Sequence, residues 1–151
     1  MQVFNTPGLA NVEMREKAAV AIKQALAQNG DYKVFFVAGM QSGRVVSTDT
    51  TTVELVLDAA PTLTQYGMII NKVGKRLHEQ LMENGEKTEI CLKVISVMSK
   101  DLPQQATDFF VMVEDPELKD AENECKPLTP ELLKFMNSVP PVTFQYFDPS
   151  Q

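Results

Sequence analysis

The sequence predicts an α/β fold of three layers, with a largely parallel sheet of about four or five strands flanked by helices. Strand patterns alternate with helix patterns of about 10–18 residues, which is typical of right-handed βαβ units. The strand patterns are near-continuous apolar runs, as expected for strands that helices cover on both faces. Glycine and proline separate most of these segments.

In chain order, the first half of the sequence predicts a strand, a helix, a strand and a helix, over residues 2–5, 12–29, 32–38 and 48–60. The second strand pattern is a continuous apolar run rich in Val and Phe. Residues 39–47 contain two glycines and predict a loop. The apolar residues of the second helix recur at helical spacing. We expect Ser47, Thr48 or Thr51 to cap this helix and Pro61 to end it.

The second half predicts a strand, two helices, a strand and a helix, over residues 68–71, 74–84, 88–99, 108–113 and 129–137. The Ile, Val and Cys residues of 88–99 also favour a strand, and we assign a helix because of the alternating pattern. The acidic residues 114–127 predict a solvated loop. Thr129 is expected to cap the last helix, with Pro130 at its first position. Residues 142–147 have some strand character.

The length, composition and charge of the chain indicate which kinds of protein it can be. A chain of 151 residues with 44% hydrophobic residues has enough apolar surface for one domain, which we place at residues 1–142 with a tail at 143–151. A net charge of −6 argues against a nucleic-acid partner or an anionic membrane surface. No apolar run approaches the roughly 18 residues of a membrane span. Two distant cysteines without a signal-peptide pattern indicate reduced thiols and predict a cytoplasmic protein.

Two segments place polar residues between the end of a strand and a glycine. One contains Asn5-Thr6-Pro7-Gly8, and the other contains Asn71-Lys72 followed by Gly74. The carboxyl ends of strands in α/β folds are where such proteins bind phosphates and other ligands. Taken alone, the first segment is better explained as a turn that proline and glycine shape, and the second is at least as well explained as a solvated Asn-Lys pair at a strand end.

Together, the two segments resemble the switch-II motif (Asp-x-x-Gly) and the base-recognition motif (Asn-Lys-x-Asp) of P-loop GTPases. Within that class, the sequence is most similar to immunity-associated and dynamin-like large GTPases. The resemblance covers residues 1–142 and only the second part of such a G domain, from the switch-II motif onward. It implies an incomplete P-loop NTPase-like (Ras-like) fold.

The resemblance also implies a site for a guanine nucleotide, GTP or GDP. The backbone N–H of Gly8 would contact the γ-phosphate, with Asn5 and Thr6 nearby. The side-chain amide of Asn71 would hold the guanine, and the stem of Lys72 would lie over the plane of the base. These five residues are the predicted nucleotide-binding set, and no residue is assigned a catalytic role.

Both motifs lack a carboxylate that the family uses. Asn5 stands where the family has an Asp that reaches Mg²⁺ through a water, and Gly74 stands where it has the Asp that reads guanine. The sequence also contains no phosphate loop of the form Gly-x-x-x-x-Gly-Lys-Ser/Thr. The expected function is therefore binding of a guanine nucleotide with little or no hydrolysis.

The resemblance has a structural consequence, because the strand of the phosphate loop would lie in the middle of the sheet. Without it, residues 2–5 pair directly with 32–38, residues 142–147 fill the slot, or a protein partner or second copy donates a strand. The alternative function is accordingly a non-catalytic protein-interaction module, a pseudo-GTPase scaffold. Another α/β enzyme has the least support, since His78 is the one histidine and no acid–base pair converges.

Overall fold

The computed structural model describes residues 30–118 and 126–144, together with residues 16, 17, 20, 21 and 23–25. The described part of the predicted helix at 12–29 is helical. The predicted strand at 2–5 lies outside the described residues.

From residue 30 onward the described chain forms eight strands and four helices. The strands are β1 (Gly30–Tyr32), β2 (Phe35–Gln41), β3 (Arg44–Val45), β4 (Gly67–Val73), β5 (Met82–Glu83), β6 (Glu86–Lys87), β7 (Asp108–Val113) and β8 (Val142–Phe144). The helices are α1 (Ser47–Ala59), α2 (Lys75–Leu81), α3 (Glu89–Ser99) and α4 (Pro130–Ser138).

The central sheet has four strands in the order β3-β2-β4-β7. Strands β2, β4 and β7 are parallel, and β3 runs antiparallel to β2. The α/β class and the mostly parallel sheet predicted from the sequence are therefore confirmed. Predicted segments 68–71, 88–99 and 108–113 appear as β4, α3 and β7.

The larger hydrophobic core lies between one face of the sheet and helices α1, α2 and α3. Met68 and Ile70 of β4 point into it and are almost completely buried. Tyr66 is buried too, and its phenol O–H donates a hydrogen bond of 2.5 Å to the carbonyl of Gln104. The ring of Tyr66 meets Phe36 edge-on, with ring centroids 5.2 Å apart.

A smaller core lies on the opposite face of the sheet, under α4. Leu132, Phe135 and Val139 bury against Ile69 of β4. Phe135 contacts the ring of Phe35, with centroids 5.9 Å apart, and that of Phe110 at 5.4 Å. The helix begins as predicted: Thr129 Oγ1 accepts the backbone N–H of Leu132, and Pro130 follows at the first position.

The start of α1 corrects one prediction. The helix runs over the expected residues, but the residue that precedes it is Val46, which has no side-chain capping bond. The hydroxyls of Thr50 and Thr51 instead donate to the carbonyl of Ser47, each at 2.9 Å. A hydroxyl that bonds backwards in this way is not available to cap the helix.

Two β-hairpins lie where the sequence predicted a loop and the end of a helix. Within the predicted loop at 39–47, residues 40–45 form a hairpin, because Ser42 and Gly43 adopt positive φ angles of 53° and 77° that match the twist of paired strands. The helix predicted to Asn84 ends at Leu81, and Asn84-Gly85, with φ of 51° and 78°, is the turn of the β5–β6 hairpin.

The C-terminal strand pairs outside the central sheet. Strand β8 is antiparallel to β1, with Val142 opposite Tyr32 and Phe144 opposite Gly30. Its described residues, 142–144, therefore do not fill the central slot, because their partner is the short strand that precedes β2. The predicted pairing of 2–5 with 32–38 involves residues outside the described part of the chain.

Candidate functional site

A cleft of about 510 Å³ lies at the carboxyl ends of β2 and β4. This end of a parallel sheet is where α/β folds bind ligands. The volume is within the range of sites for small molecules. The lining residues come from β2, from the start of α1 and from the end of β4: Val37, Gly39, Met40, Gln41, Val46, Asp49, Asn71 and Lys72.

Strand β4 is irregular at its carboxyl end, where its residues line the cleft. The pairing of β4 with β7 shifts register between Ile70 and Val73, and Lys72 between them has a left-handed φ of 58°. Asn71 Oδ1 accepts the backbone N–H of Lys72 at 2.8 Å and holds this turn. Such a bulge redirects side chains at the end of a strand. It places half-buried Asn71 and exposed Lys72 side by side at the rim.

The local bond of Asn71 fixes which way its amide points. Because Oδ1 accepts the neighbouring N–H, the Nδ2 group faces away from the backbone. No hydrogen-bond acceptor for Nδ2 is found among the described residues. Asn71 therefore presents two N–H donors, and Lys72 a flexible apolar stem with an ammonium group.

The opposite side of the cleft is formed by the end of β2 and the first turn of α1. Asp49 Oδ2 accepts the backbone N–H of Gly39 at 2.8 Å. The carbonyl of Gly39 accepts the N–H of Val46 at 2.9 Å. Both backbone groups of Gly39 are thus used by the hairpin and helix that follow, which fixes α1 to the strand end.

The two sides of the cleft are joined through the sheet itself. Gly39 of β2 is directly opposite Asn71 of β4 in the parallel ladder. Asp49, which accepts the N–H of Gly39, and Asn71 both line the cleft, from the two sides of β2. Asp49 and Lys72 give the cleft one negative and one positive side chain.

The structure brings together only part of the predicted site. Asn71 and Lys72 line the cleft, whereas Asn5, Thr6 and Gly8 lie outside the described residues. Sequence reasoning missed Asp49. A carboxylate in the first turn of a helix is common for electrostatic reasons, so its position alone gave no signal of a site.

The buried thiol and the acidic side chains elsewhere in the described structure form no metal site. Cys91 is buried in the larger core, and burial raises the pKa of its thiol. Among the described residues, no group of three or more His, Cys, Asp or Glu side chains could hold a metal ion. Within the same part of the chain, no helix has the length and apolar character needed to cross a bilayer.

Comparison of the chain with family models, with curated proteins and with solved structures finds no match.

Proposed function

We propose that this chain is a GTPase-like module that binds a guanine nucleotide and does not hydrolyse it through its own residues. The observation that carries the proposal is the position of Asn71 and Lys72 at the rim of the cleft between β2 and β4. These are the two base-recognition residues predicted from the sequence.

The contacts of Asn71 and Lys72 suit the edge and face of a purine. The Nδ2 group of Asn71 is the donor available to a ring nitrogen or oxygen of the base. Lys72 is exposed, so its aliphatic stem can cover an aromatic plane while the ammonium group stays in water. A base held in this way would be clamped between a hydrogen-bonding edge and an apolar cover.

The charges at the cleft favour the base over the phosphates. Asp49 and Lys72 oppose each other in sign, so the lining has no excess of positive charge for a polyphosphate. A phosphate charge about 4 Å from the carboxylate would be repelled by roughly 1 kcal/mol in water. The phosphates would therefore extend away from Asp49. Hydrolysis is not part of the proposal, since the sequence contains no phosphate loop.

The test is calorimetric titration of the purified chain with a slowly hydrolysed GTP analogue, with and without Mg²⁺, and with ATP for comparison. We expect a Kd near or below 10 μM, about −7 kcal/mol. Lys72→Ala should weaken binding about fivefold or more through loss of its stem and charge. Lys93→Ala removes the same charge from an exposed position of α3 and is the matched control. A folded chain that gives no heat with either nucleotide would overturn the proposal.

The second candidate function is a protein-interaction module, and it is favoured by an edge of β2 that has no partner strand over residues 35–38 among the described residues. β2 pairs with β4 along one edge, while β3 covers only Met40 and Gln41 on the other. Among the described residues, no strand pairs with this second edge at 35–38. Val37 is 58% exposed there, and no charged side chain of β2 discourages an added strand.

Hydrogen exchange tests the interaction module separately from nucleotide binding. If a second copy adds a strand, the backbone N–H of Val37 should become protected as the protein concentration rises. Val37→Lys should abolish that protection and keep the chain monomeric, because a charge at an edge opposes pairing. Rapid exchange at every concentration, with a single monomeric species in sedimentation, would contradict self-association through this edge.

A further inference from the structure

We propose that Asn84 is a site of spontaneous covalent modification, at which the side-chain amide is converted to aspartate or isoaspartate. The attacking group is the backbone nitrogen of Gly85, the next residue at the tip of the β5–β6 hairpin. Asparagine is among the heat-labile residues of proteins. No residue of this hairpin lines the cleft, so the inference does not rest on the nucleotide proposal.

Both residues of the turn are exposed and free to react. A Cβ placed on Gly85 would meet no atom within 4 Å. The ladder pairs Glu83 with Glu86, which leaves the N–H of Gly85 outside it. In the part of the chain that the structure describes, neither this N–H nor the amide of Asn84 has a hydrogen-bond partner. No bond therefore has to be broken before the two groups meet.

The backbone of Asn84 already has the φ angle that the reaction needs. The φ angles of 51° at Asn84 and 78° at Gly85 are those of a type I′ turn. A five-membered ring between the side chain and the next nitrogen needs a ψ of about −120°, the value that a type II′ turn has at its first central residue. The two turn types differ mainly in the orientation of one peptide plane. Gly85 can follow its rotation, because glycine adopts φ of either sign.

The reaction balances with water as the one co-reactant. The nitrogen of Gly85 bonds to Cγ of Asn84, the bond from Cγ to Nδ2 breaks, and ammonia leaves with the proton of the Gly85 N–H. Water then opens the cyclic imide. Opening at Cγ gives aspartate, and opening at the main-chain carbonyl gives isoaspartate. No oxidant, reductant or enzyme is required.

Two other asparagines within the described residues are held in ways that oppose this reaction. Asn71 accepts the backbone N–H of Lys72 at 2.8 Å, so its amide must first leave that bond. Asn137 lies inside α4, where the following N–H belongs to a helix. Asn29 also precedes a glycine, but it lies outside the described part of the chain.

The modification changes the tip of the hairpin and leaves its base in place. Either product adds a negative charge next to Glu83 and close to Glu86, and isoaspartate also lengthens the backbone of a two-residue turn. At the base, the N–H of Thr88 donates to the carbonyl of Leu81 at 2.9 Å, and Thr88 Oγ1 accepts the N–H of Cys91 at the start of α3. We therefore expect a local loss of pairing in β5 and β6 without unfolding of α3.

The experiment keeps the full chain in heavy-oxygen water at neutral pH and maps its peptides by mass spectrometry. Each conversion takes up one labelled oxygen, and enzymatic methylation identifies isoaspartate. In the folded chain Asn84 should convert at least about fivefold faster than Asn71, whose amide must first leave its hydrogen bond. The same chain in urea gives the rates that the local sequence alone sets, and unfolding should accelerate Asn71 more than Asn84. If folding slows both residues equally, the inference is wrong.

Asn84→Gly is the matched control, because glycine keeps the positive φ of the turn and has no amide. After the same incubation, hydrogen exchange at the N–H of Glu86 should be faster in the wild type and unchanged in Asn84→Gly. Equal acceleration in both chains would overturn the assignment to Asn84. So would a wild-type chain whose Asn84 peptide takes up no label. Nucleotide binding is measured separately and is not affected by either result.

Discussion

The two faces of the central sheet carry different cores and different chemistry. On one face, α1, α2 and α3 enclose the larger core, where Met68 and Ile70 are almost completely buried. On the other face, α4 is the one helix among the described elements that covers Ile69, and Val37 is 58% exposed. Side chains alternate along a strand, so Val37 and Gly39 share this second face with the cleft. In the part of the chain that the structure describes, the cleft thus borders the face that fewer helices cover.

Two adjacent residues of β4 test this difference most strongly, because they point to opposite faces. Ile70→Ala should destabilise the chain by about 4 kcal/mol, since the larger core has little room to collapse. Ile69→Ala should cost about 2–3 kcal/mol, because the smaller core is nearer to solvent. Urea unfolding followed by circular dichroism measures both. Equal losses for the two variants would show that the faces contribute alike.

Gly67 sharpens the comparison at the edge of the smaller core. A Cβ added there would lie 2.7 Å from the ring of Phe35 and 3.1 Å from Val139. Gly67→Ala should therefore cost about 2 kcal/mol, because the ring and α4 must shift. The same unfolding experiment measures it, with Gly74→Ala for comparison: the space around Gly74 is open, so that variant should lose only the cost of alanine at a helix N-cap, about 1 kcal/mol or less. A neutral Gly67→Ala would mean that α4 moves freely over the sheet.

The larger core also contains a group that responds to pH. Burial raises the pKa of Tyr66 to about 12, against about 10 in an unfolded chain. The folded chain therefore keeps this proton longer than the unfolded chain does. The associated stability is complete below pH 10 and is lost as the pH rises from about 10 to 12.

Tyr66→Phe separates the phenol from the rest of the core. At neutral pH the variant should lose about 1 kcal/mol, the usual net value of one hydrogen bond, here the bond to Gln104. Above pH 10 its stability should fall less steeply than that of the wild type. Unfolding free energies measured across this range give both quantities, and parallel alkaline declines would contradict the assignment to Tyr66.

The smallest expected effect is at the start of α4. Thr129→Ala removes the side-chain acceptor for the N–H of Leu132 and should cost about 0.5–1 kcal/mol. Thr129→Ser keeps the acceptor and should be nearly neutral. Hydrogen exchange of the first turn of α4 would locate the loss. If exchange changes equally in β7, the helix and the sheet open together rather than separately.

The helices and strands that could be predicted are those with a clear pattern of apolar residues or with residues that mark where they begin and end. The sequence predicts β7 at its observed bounds because the apolar run of 109–113 is unbroken, and α4 because Thr129-Pro130 marks its start. Asn84-Gly85 was interpreted as the end of a helix, although the same dipeptide is a strong hairpin signal. A local pattern of this kind suits both structures, and only the strand that follows decides between them.

The site was harder to predict than the fold. Asn71 and Lys72 are adjacent in sequence at a strand end, so a local motif could single them out. Asp49 joins them only because the sheet puts Gly39 opposite Asn71 and a hydrogen bond fixes α1 on Gly39. That contact combines strand register with helix placement. Neither can be read from the spacing of residues along the chain.

The left-handed backbone conformation of Lys72 costs free energy that a glycine at this position would avoid. A side chain at a φ of 58° is strained by about 1 kcal/mol, whereas glycine adopts this angle freely. Lys72→Gly should thus give a chain that unfolds at a higher temperature and binds nucleotide less well. Selection for thermal stability alone would remove this lysine. A stabilised form of the protein obtained by such selection is therefore expected to have lost part of its cleft.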